Sequence, residues 1–363
     1  MIKLLKIVKI FSLINNNSFI YDIMNNRTKD VLSMYVLAKS VLALMIGFIL
    51  AVFAGLILVP LLRKIKASQV TSKFVKQHKA KSGTPTAGGL IFIISTILTI
   101  VALVLTNKMT ITTNLIIVLF IFFGYALIGF IDDFLKIKSK SNEGGLTRIQ
   151  KLVGQIILAI IFFYLYIKDG SNPTVEITGL GININLGFMY GFFILFMLVG
   201  TSNAVNLTDG IDGLAAGLSA IAFLVYGMVA WSSSWLSGYD SIAIFCFILV
   251  GGIVGFLVFN SHPAKIFMGD TGSLALGGTL ATVAILTRRE LLLAIVGGIF
   301  VIETLSVILQ IASVKLRGKR LFPMTPIHHS FEKMGWSEED IIRLFYVVGF
   351  ILGAGAIIYG VWI

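Results

Sequence analysis

Asn203-Ala-Val-Asn-Leu-Thr-Asp-Gly-Ile-Asp-Gly-Leu-Ala215 sets two amides, two carboxylates and two glycines between segments that are otherwise almost wholly apolar. The flanking runs Leu186–Val205 and Leu214–Trp231 approach the roughly 20 residues that cross a bilayer as a helix. The stretch therefore reads as a polar turn between two membrane spans. Polar groups in such number at a span's end are costly unless they have a function. A simple capping turn, with Asp209 or Asp212 as an N-cap, accounts for the same residues. The rest of the chain decides between the two.

Hydrophobic residues make up 57% of the 363 and charged residues 13%, with a mean hydropathy of +0.96. Soluble domains carry about 25% charge, so the chain reads as an all-α polytopic membrane protein whose repeated apolar runs make helices rather than a barrel. Cys246 is the single cysteine and lies in an apolar run, which excludes a disulfide framework. The formal net charge of +12 is assigned to orientation, because Lys and Arg collect in cytoplasmic loops, and no nucleic-acid partner is expected. Met1–Ile14 is basic and apolar but lacks a small-residue cleavage site.

The spacing predicts about ten spans: Tyr35–Leu62, Gly88–Leu105, Leu115–Ile131, Leu152–Ile167, Leu186–Val205, Leu214–Trp231, Ser241–Phe259, Leu274–Leu286, Leu291–Leu316 and Ile341–Ile363. The loop after the first carries Arg63, Lys64, Lys66, Lys73, Lys76, Lys79 and Lys81. It is placed in the cytoplasm, with both chain ends outside. Arg288 and Arg289, with Lys3, Lys6 and Lys9, run against that orientation. Asp169–Asn185, rich in Thr, Val, Ile and Gly, reads as a short external hairpin. The polar stretches Lys81–Gly89, Asp132–Lys151, Asn203–Asp212, Asn260–Ser273 and Lys315–Asp340 are alternate loops, so all five fall on the cytoplasmic face. One active face at one membrane surface is the expectation.

Each stretch carries chemistry. In Ile131-Asp-Asp-Phe-Leu-Lys136, like charges raise one pKa, and Lys136 shares a helix face with Asp132. The set suits a base or metal ligand beside an anion, and equally a charged helix end. Glu143, Arg148 and Lys151 follow, as phosphate-facing or as orienting charges. Lys81-Ser-Gly-Thr-Pro-Thr-Ala-Gly-Gly89 is a glycine-rich turn whose backbone N–H groups favour anions, and it reads equally as a plain tight turn. Asn203 and Asn206, one turn apart, can read a base or sugar edge. Asp209 and Asp212 repeat the spacing, and carboxylates with substrate phosphates are the usual magnesium arrangement. Asn260-Ser-His-Pro-Ala-Lys-Ile-Phe-Met-Gly-Asp-Thr-Gly-Ser273 puts Asp270 at a predicted helix start, as cap or metal ligand. Phe267 is placed to stack on a base or to sit at the interface. Pro326-Ile-His-His-Ser-Phe-Glu332 brings His328 and His329 among Arg317, Lys319, Arg320 and Lys333, suited to acid–base or phosphate contacts. Glu303, alone in an apolar run, reads as a structural partner between helices. Together these residues suit phosphoryl transfer onto a lipid phosphate with a divalent cation.

Asp132-Asp-Phe-Leu-Lys136, Asn203–Ala215, Phe267-Met-Gly-Asp-Thr-Gly-Ser273 and Pro326-Ile-His-His329 resemble the polyprenyl-phosphate N-acetylhexosamine-1-phosphate transferases, of glycosyltransferase family 4 type. Within them the resemblance is closest to the phospho-N-acetylmuramoyl-pentapeptide branch. It runs from about Met34 to the C-terminus and leaves residues 1–33 as an appendage to a transferase domain of residues 34–363. It implies transfer from UDP-N-acetylmuramoyl-pentapeptide to undecaprenyl phosphate, giving lipid I and UMP, with magnesium, in the bacterial cytoplasmic membrane. By the same resemblance Asp270 holds magnesium and Asp132 deprotonates or orients the lipid phosphate, assisted by Asp133 and Lys136. Asn206, Asp209, Asp212 and Phe267 bind the donor's uridine end, Asn203 and Asn260 contact substrate, Lys81 and Thr86 help hold nucleotide, and His328 and His329 face the diphosphate or sugar. Homologues are dimeric, which implies a homodimer. One departure stands out, since Ser330 occupies the place of a usual third histidine. A transferase using UDP-N-acetylglucosamine is the nearest alternative, and a cation-coupled transporter the one from another class; the latter would hold its carboxylates near mid-bilayer in a repeated architecture.

Overall fold

The computed structural model describes residues 18–65, 83–139, 141, 144–177 and 180–362. Its helices, in chain order, are α1 Ser18–Lys64, α2 Leu90–Leu105, α3 Thr113–Ser139, α4 Arg148–Lys168, α5 Met189–Thr208, α6 Leu214–Ser232, α7 Tyr239–Asn260, α8 Gly269–Leu286, α9 Leu292–Val296, α10 Gly298–Arg317, α11 Ile327–Lys333 and α12 Glu338–Ile357. Eight of them include segments long and apolar enough to cross a membrane. The ten predicted spans all have a helix, with three qualifications. Helix α2 is a shorter apolar helix of 16 residues. Helix α8 reaches 18 residues, yet Gly, Ala and Thr replace much of the branched apolar content of its neighbours. The predicted span Leu291–Leu316 is divided at Gly297 into α9 and α10, where adjacent glycines weaken helix continuity.

Helix α8 is the axis of the bundle. Every residue from Thr271 to Leu286 is buried, and α3, α5 and α6 pack around it. Its small residues are what permit this: a Cβ at Gly277 would lie 2.5 Å from the Cα of Ser202 on α5, and one at Gly278 would meet the Tyr125 ring on α3 at 2.7 Å. Small residues let membrane helices approach backbone to backbone. Helices α6 and α7 are also largely enclosed, whereas α1, α4 and α10 keep broad exposed apolar faces, as lipid-facing helices do.

The expected hairpin is present: β1 Thr174–Ile177 pairs antiparallel with β2 Ile182–Asn185, Thr174 opposite Asn185. It also explains the two arginines that oppose the orientation rule. The Arg288 guanidinium donates to Thr174 Oγ1, and Arg289 Nη1 lies 3.7 Å from Glu176. Buried Glu290 beside them accepts from Tyr190 at 2.5 Å. Both arginines are thus structural cations that fasten the hairpin to the bundle.

Helix α1 continues unbroken across position 33. Trp231 Nε1 donates to the Ser33 carbonyl at 2.7 Å, so the last residues of the expected appendage touch the bundle.

Candidate active site

The ends of α1, α3, α5, α7 and α10 and the starts of α2, α4, α6, α8 and α12 gather at one end of the bundle, as the loop parity predicts. The contacts joining them are those of the site itself.

Asp132 and Asp133 sit in the last turns of α3, both buried. Their neighbours differ. Asp132 Oδ1 accepts from Leu146 N at 2.7 Å. A Cβ at Gly145 would stand 2.5 Å from that oxygen, so glycine allows the 144–146 backbone to close over it. Asp132 Oδ2 lies 2.5 Å from Lys136 Nζ and 2.9 Å from Lys151 Nζ. Asp133 instead reaches α8: Oδ1 accepts from Asp270 N at 3.1 Å, and Oδ2 from Thr271 N at 2.9 Å and Thr271 Oγ1 at 2.6 Å. Helix α8 has no side-chain cap of its own, and Asp133 supplies one from another helix. Asp270, read from sequence as either cap or ligand, is not the cap.

Asp270 faces the cations and the amides. Its Oδ2 lies 2.5 Å from Lys151 Nζ and 3.4 Å from Lys136 Nζ, and its Oδ1 accepts from Asn206 Nδ2 at 3.0 Å. The Asn206 amide also donates to Ser273 Oγ at 2.8 Å. Asn203, one turn earlier, is exposed and donates to Gln155 Oε1 at 3.2 Å. Ligand oxygens of Asp132, Asp133 and Asp270 lie within 4.8 Å of one another. An all-carboxylate set suits a hard divalent cation. Asp132 Oδ2 is buried and, among the described residues, meets the ammonium groups of Lys136 and Lys151, which a bound cation would displace. The residues fit a metal.

Neither side chain of Asp209 or Asp212 caps α6: the residue at its N-cap is Gly213, in the left-handed region at φ +81. The Asp209 side chain has no hydrogen-bond partner among the described residues. Desolvation, followed by the charges of Asp270, Asp133 and Asp212, pushes its carboxyl up to about 8. Asp212 is buried, and its Oδ2 accepts from Ala264 N and meets His262 Nδ1, each at 3.0 Å. His262 also approaches Glu338 at 3.5 Å and Glu339 at 3.4 Å at the start of α12. Asp212 thus ties the turn to the 261–266 loop. Buried Asn260 holds that loop from within, donating to the Ile266 carbonyl at 2.9 Å.

Of its two readings, the glycine-rich turn takes that of a structural turn. Gly88 N and Gly89 N donate to the carbonyls of Phe267 and Met268 at 2.8 and 2.9 Å, and Phe267 N donates to Pro85 O at 2.8 Å. These amides latch two loops together and hold half-buried Phe267 by its backbone. Thr86 Oγ1 is buried without a partner, close to Gly269 beside Asp133. Lys81 lies outside the described residues.

His328 is fully buried. Its Nδ1 lies 3.1 Å from Glu303, and its Nε2 lies against Gly210, where a Cβ would overlap the ring. His329 Nδ1 meets Glu332 at 2.5 Å. Ser330 donates to Met324 O at 2.5 Å and accepts from Met324 N at 3.3 Å. It is a loop-closing hydroxyl.

The structure therefore joins Asp132, Lys136, Asn206 and Asp270 directly. Sequence reading left Lys151 undecided between phosphate and orientation, and assigned Glu303 no chemistry. It passed over His262 and Gln155. Glu303 carried a signal as a lone carboxylate in an apolar run, whereas His262 and Gln155 carried none beyond their neighbourhood.

Comparison with known proteins gives one consistent result. Residues 115–288 match the family model for glycosyl transferase family 4. The chain is 49% identical over 325 residues to a phospho-N-acetylmuramoyl-pentapeptide-transferase of Geobacillus sp. (strain WCH70), covering 89% of this chain and 98% of that one. It is 48% identical over 322 residues to that of Bacillus subtilis (strain 168), covering 88% and 97%.

Proposed function

The chain belongs to the phospho-N-acetylmuramoyl-pentapeptide-transferase family, and on that premise we propose that its chemistry runs at the cluster of Asp132, Lys136, Lys151 and Asp270. The reaction moves phospho-N-acetylmuramoyl-pentapeptide from its UDP donor to undecaprenyl phosphate, giving lipid I and UMP. An oxygen of the lipid phosphate bonds to the phosphorus bearing the sugar, and the bridging P–O bond breaks to release UMP.

The observation that carries this site assignment is the 3.0 Å bond from Asn206 to Asp270, which joins the amide-rich turn to the carboxylates. Asp132 orients or deprotonates the lipid phosphate through Oδ2, while Leu146 N fixes its other oxygen. Lys136 and Lys151, already between the carboxylates, turn to the phosphoryl oxygens and stabilise charge developing there. Asp133, engaged with α8 through both oxygens, is a positioning residue for Asp270. Asp270, with Asp132, is the site for magnesium, which when bound screens the two phosphates from each other. Asn203, Asn206, Asp209 and Asp212 hold the uridine end, Phe267 stacks on uracil, and Asn260 fixes the loop that carries Phe267. Thr86 and Lys81 support the nucleotide. Glu303 orients His328 and Glu332 orients His329 toward the diphosphate or sugar. The protein works in the bacterial cytoplasmic membrane as a homodimer, with this end of the bundle facing the cytoplasm. Residues 34–363 form the transferase domain, with 1–33 as an appendage.

The test is UMP release by purified protein with undecaprenyl phosphate, with and without magnesium, from UDP-N-acetylmuramoyl-pentapeptide. Release should need the cation and disappear in Asp270→Asn while the thermal melt stays near wild type. Near-normal release by a folded Asp270→Asn protein removes the metal assignment.

A further inference from the structure

His262 stands between the turn after α5 and the start of α12. Its Nδ1 lies 3.0 Å from Asp212 Oδ2 and 3.5 Å from Glu338 Oε2, in the first turn of α12. Its Nε2 lies 3.4 Å from Glu339 Oε1. Ionised carboxylates only accept, so the nitrogen that faces two of them carries a proton. One imidazole thus joins the 261–266 loop to Asp212 on one side and to α12 on the other. Asp212 and Glu338 are both buried, and there a carboxylate that loses a donor is costly.

Helix α12 grips the same turn a second time. The Tyr346 hydroxyl, about two helical turns further along, donates to the Gly213 carbonyl at 2.7 Å. Gly217, in the first turn of α6, leaves the ring its place, since a Cβ there would overlap it. The start of α12 is itself capped, Ser337 Oγ accepting from Asp340 N at 3.1 Å, which makes it a firm support. The turn is therefore held at Asp212 and at Gly213, both by way of α12, while Asn206 reaches Asp270 from the end of α5.

We propose that His262 is a positioning residue for the donor: together with Tyr346 it uses α12 to fix Asp212 and its turn for the uridine end. The proposal rests on the reading of Asp212 as a donor contact. Loss of this clamp weakens donor binding and spares the acceptor and the chemical step, because Asp132, Lys136 and Lys151 belong to α3 and α4.

The test is steady-state UMP release by the full chain in detergent with magnesium, KM being taken separately for UDP-N-acetylmuramoyl-pentapeptide and for undecaprenyl phosphate. His262→Ala should raise KM for the donor about tenfold, the weight of one hydrogen bond to a charged group. Its kcat and its KM for undecaprenyl phosphate should stay close to wild type. His262→Asn, whose Nδ2 falls near the place of Nδ1, should restore most of the donor affinity, whereas His262→Gln, whose amide extends toward Glu339, should not. Tyr346→Phe keeps the ring and removes one neutral hydrogen bond. It should raise the same KM about threefold and covers the case in which His262→Ala fails to fold. A wild-type donor KM in folded His262→Ala or, failing that variant, in Tyr346→Phe overturns the proposal. So does a fall in kcat alone, or rescue by Gln in place of Asn. Asp212→Asn separates the two readings. An unchanged donor KM there removes Asp212 as a donor contact and the proposal with it, whereas a raised one beside a wild-type value in His262→Ala overturns only the proposal.

Discussion

Asp132 and Asp133 are neighbours in sequence with opposite duties. One meets two ammonium groups and the other caps a helix from a different part of the chain. Adjacent residues on a helix point about 100° apart, so one faces the cations and the other faces α8. Asp209 presents a different balance. The folded protein keeps its carboxyl protonated up to about pH 8, whereas an unfolded chain releases that proton near pH 4. Between those values the folded state binds more protons, so this group's contribution to stability falls as pH rises. In chelator-treated protein, Asp209→Asn should therefore melt higher than wild type at pH 8.5, with the gap closing toward pH 4.5. Activity should fall, because the substitution removes a substrate contact. A wild-type melt at pH 8.5 equal to or above the variant's contradicts this account. Ser330 illustrates a substitution that structure explains: its hydroxyl both donates to and accepts from Met324, a task of loop closure rather than proton transfer.

Among the elements, the closest approach in the site is that of α3 to α8 at Gly129, where a Cβ would overlap the Asp270 carbonyl. Gly129→Ala must push the two helices apart and move Asp270 from the cluster. Overpacking of this kind costs about 1–3 kcal/mol, so a lower melting temperature and reduced turnover are expected together. Gly200→Ala, on α5 with nothing within 4 Å of its Cβ, is the control: it should leave turnover unchanged and leave the melting temperature level or slightly raised. If both variants behave alike, the close approach does not position the site. At this scale, sequence predicted helices and hairpin where they stand, but it left the glycine-rich turn open between an anion cradle and a structural turn. Gly88 and Gly89 look like an anion cradle, and their amides are used on the carbonyls of Phe267 and Met268. A local pattern cannot reveal which distant loop will occupy its donors.

Across the whole molecule the carboxylates of the polar motifs, Asp132, Asp133, Asp209, Asp212 and Asp270, collect at one end of the bundle, which is the arrangement of a surface enzyme rather than of a transporter with mid-bilayer ion sites. Orientation is directly measurable, because Cys246 is the single cysteine and is buried. Lys319 and Asn172 are exposed at opposite ends. In intact cells an impermeant maleimide should label Asn172→Cys, and Lys319→Cys only after permeabilisation. The reverse pattern would place the active end outside.

Composition and the spacing of apolar runs determined the class of fold, the places of the apolar helices and the alternation that brings the polar loops to one end. Those properties follow from hydrocarbon thickness and chain connectivity, and both can be read along a line. The motifs likewise singled out Asp132, Asp133, Lys136, Asn206 and Asp270, which the fold brings together. Tertiary structure decided how those residues divide the work: Asp133 as the cap of α8, Lys151 between Asp132 and Asp270, Glu303 against His328, Arg288 and Arg289 holding the hairpin. Each of these pairs spans loops and helices far apart in the chain. Their contacts depend on helix rotation and on the close approach that small residues in α8 permit, and neither is encoded in any single stretch.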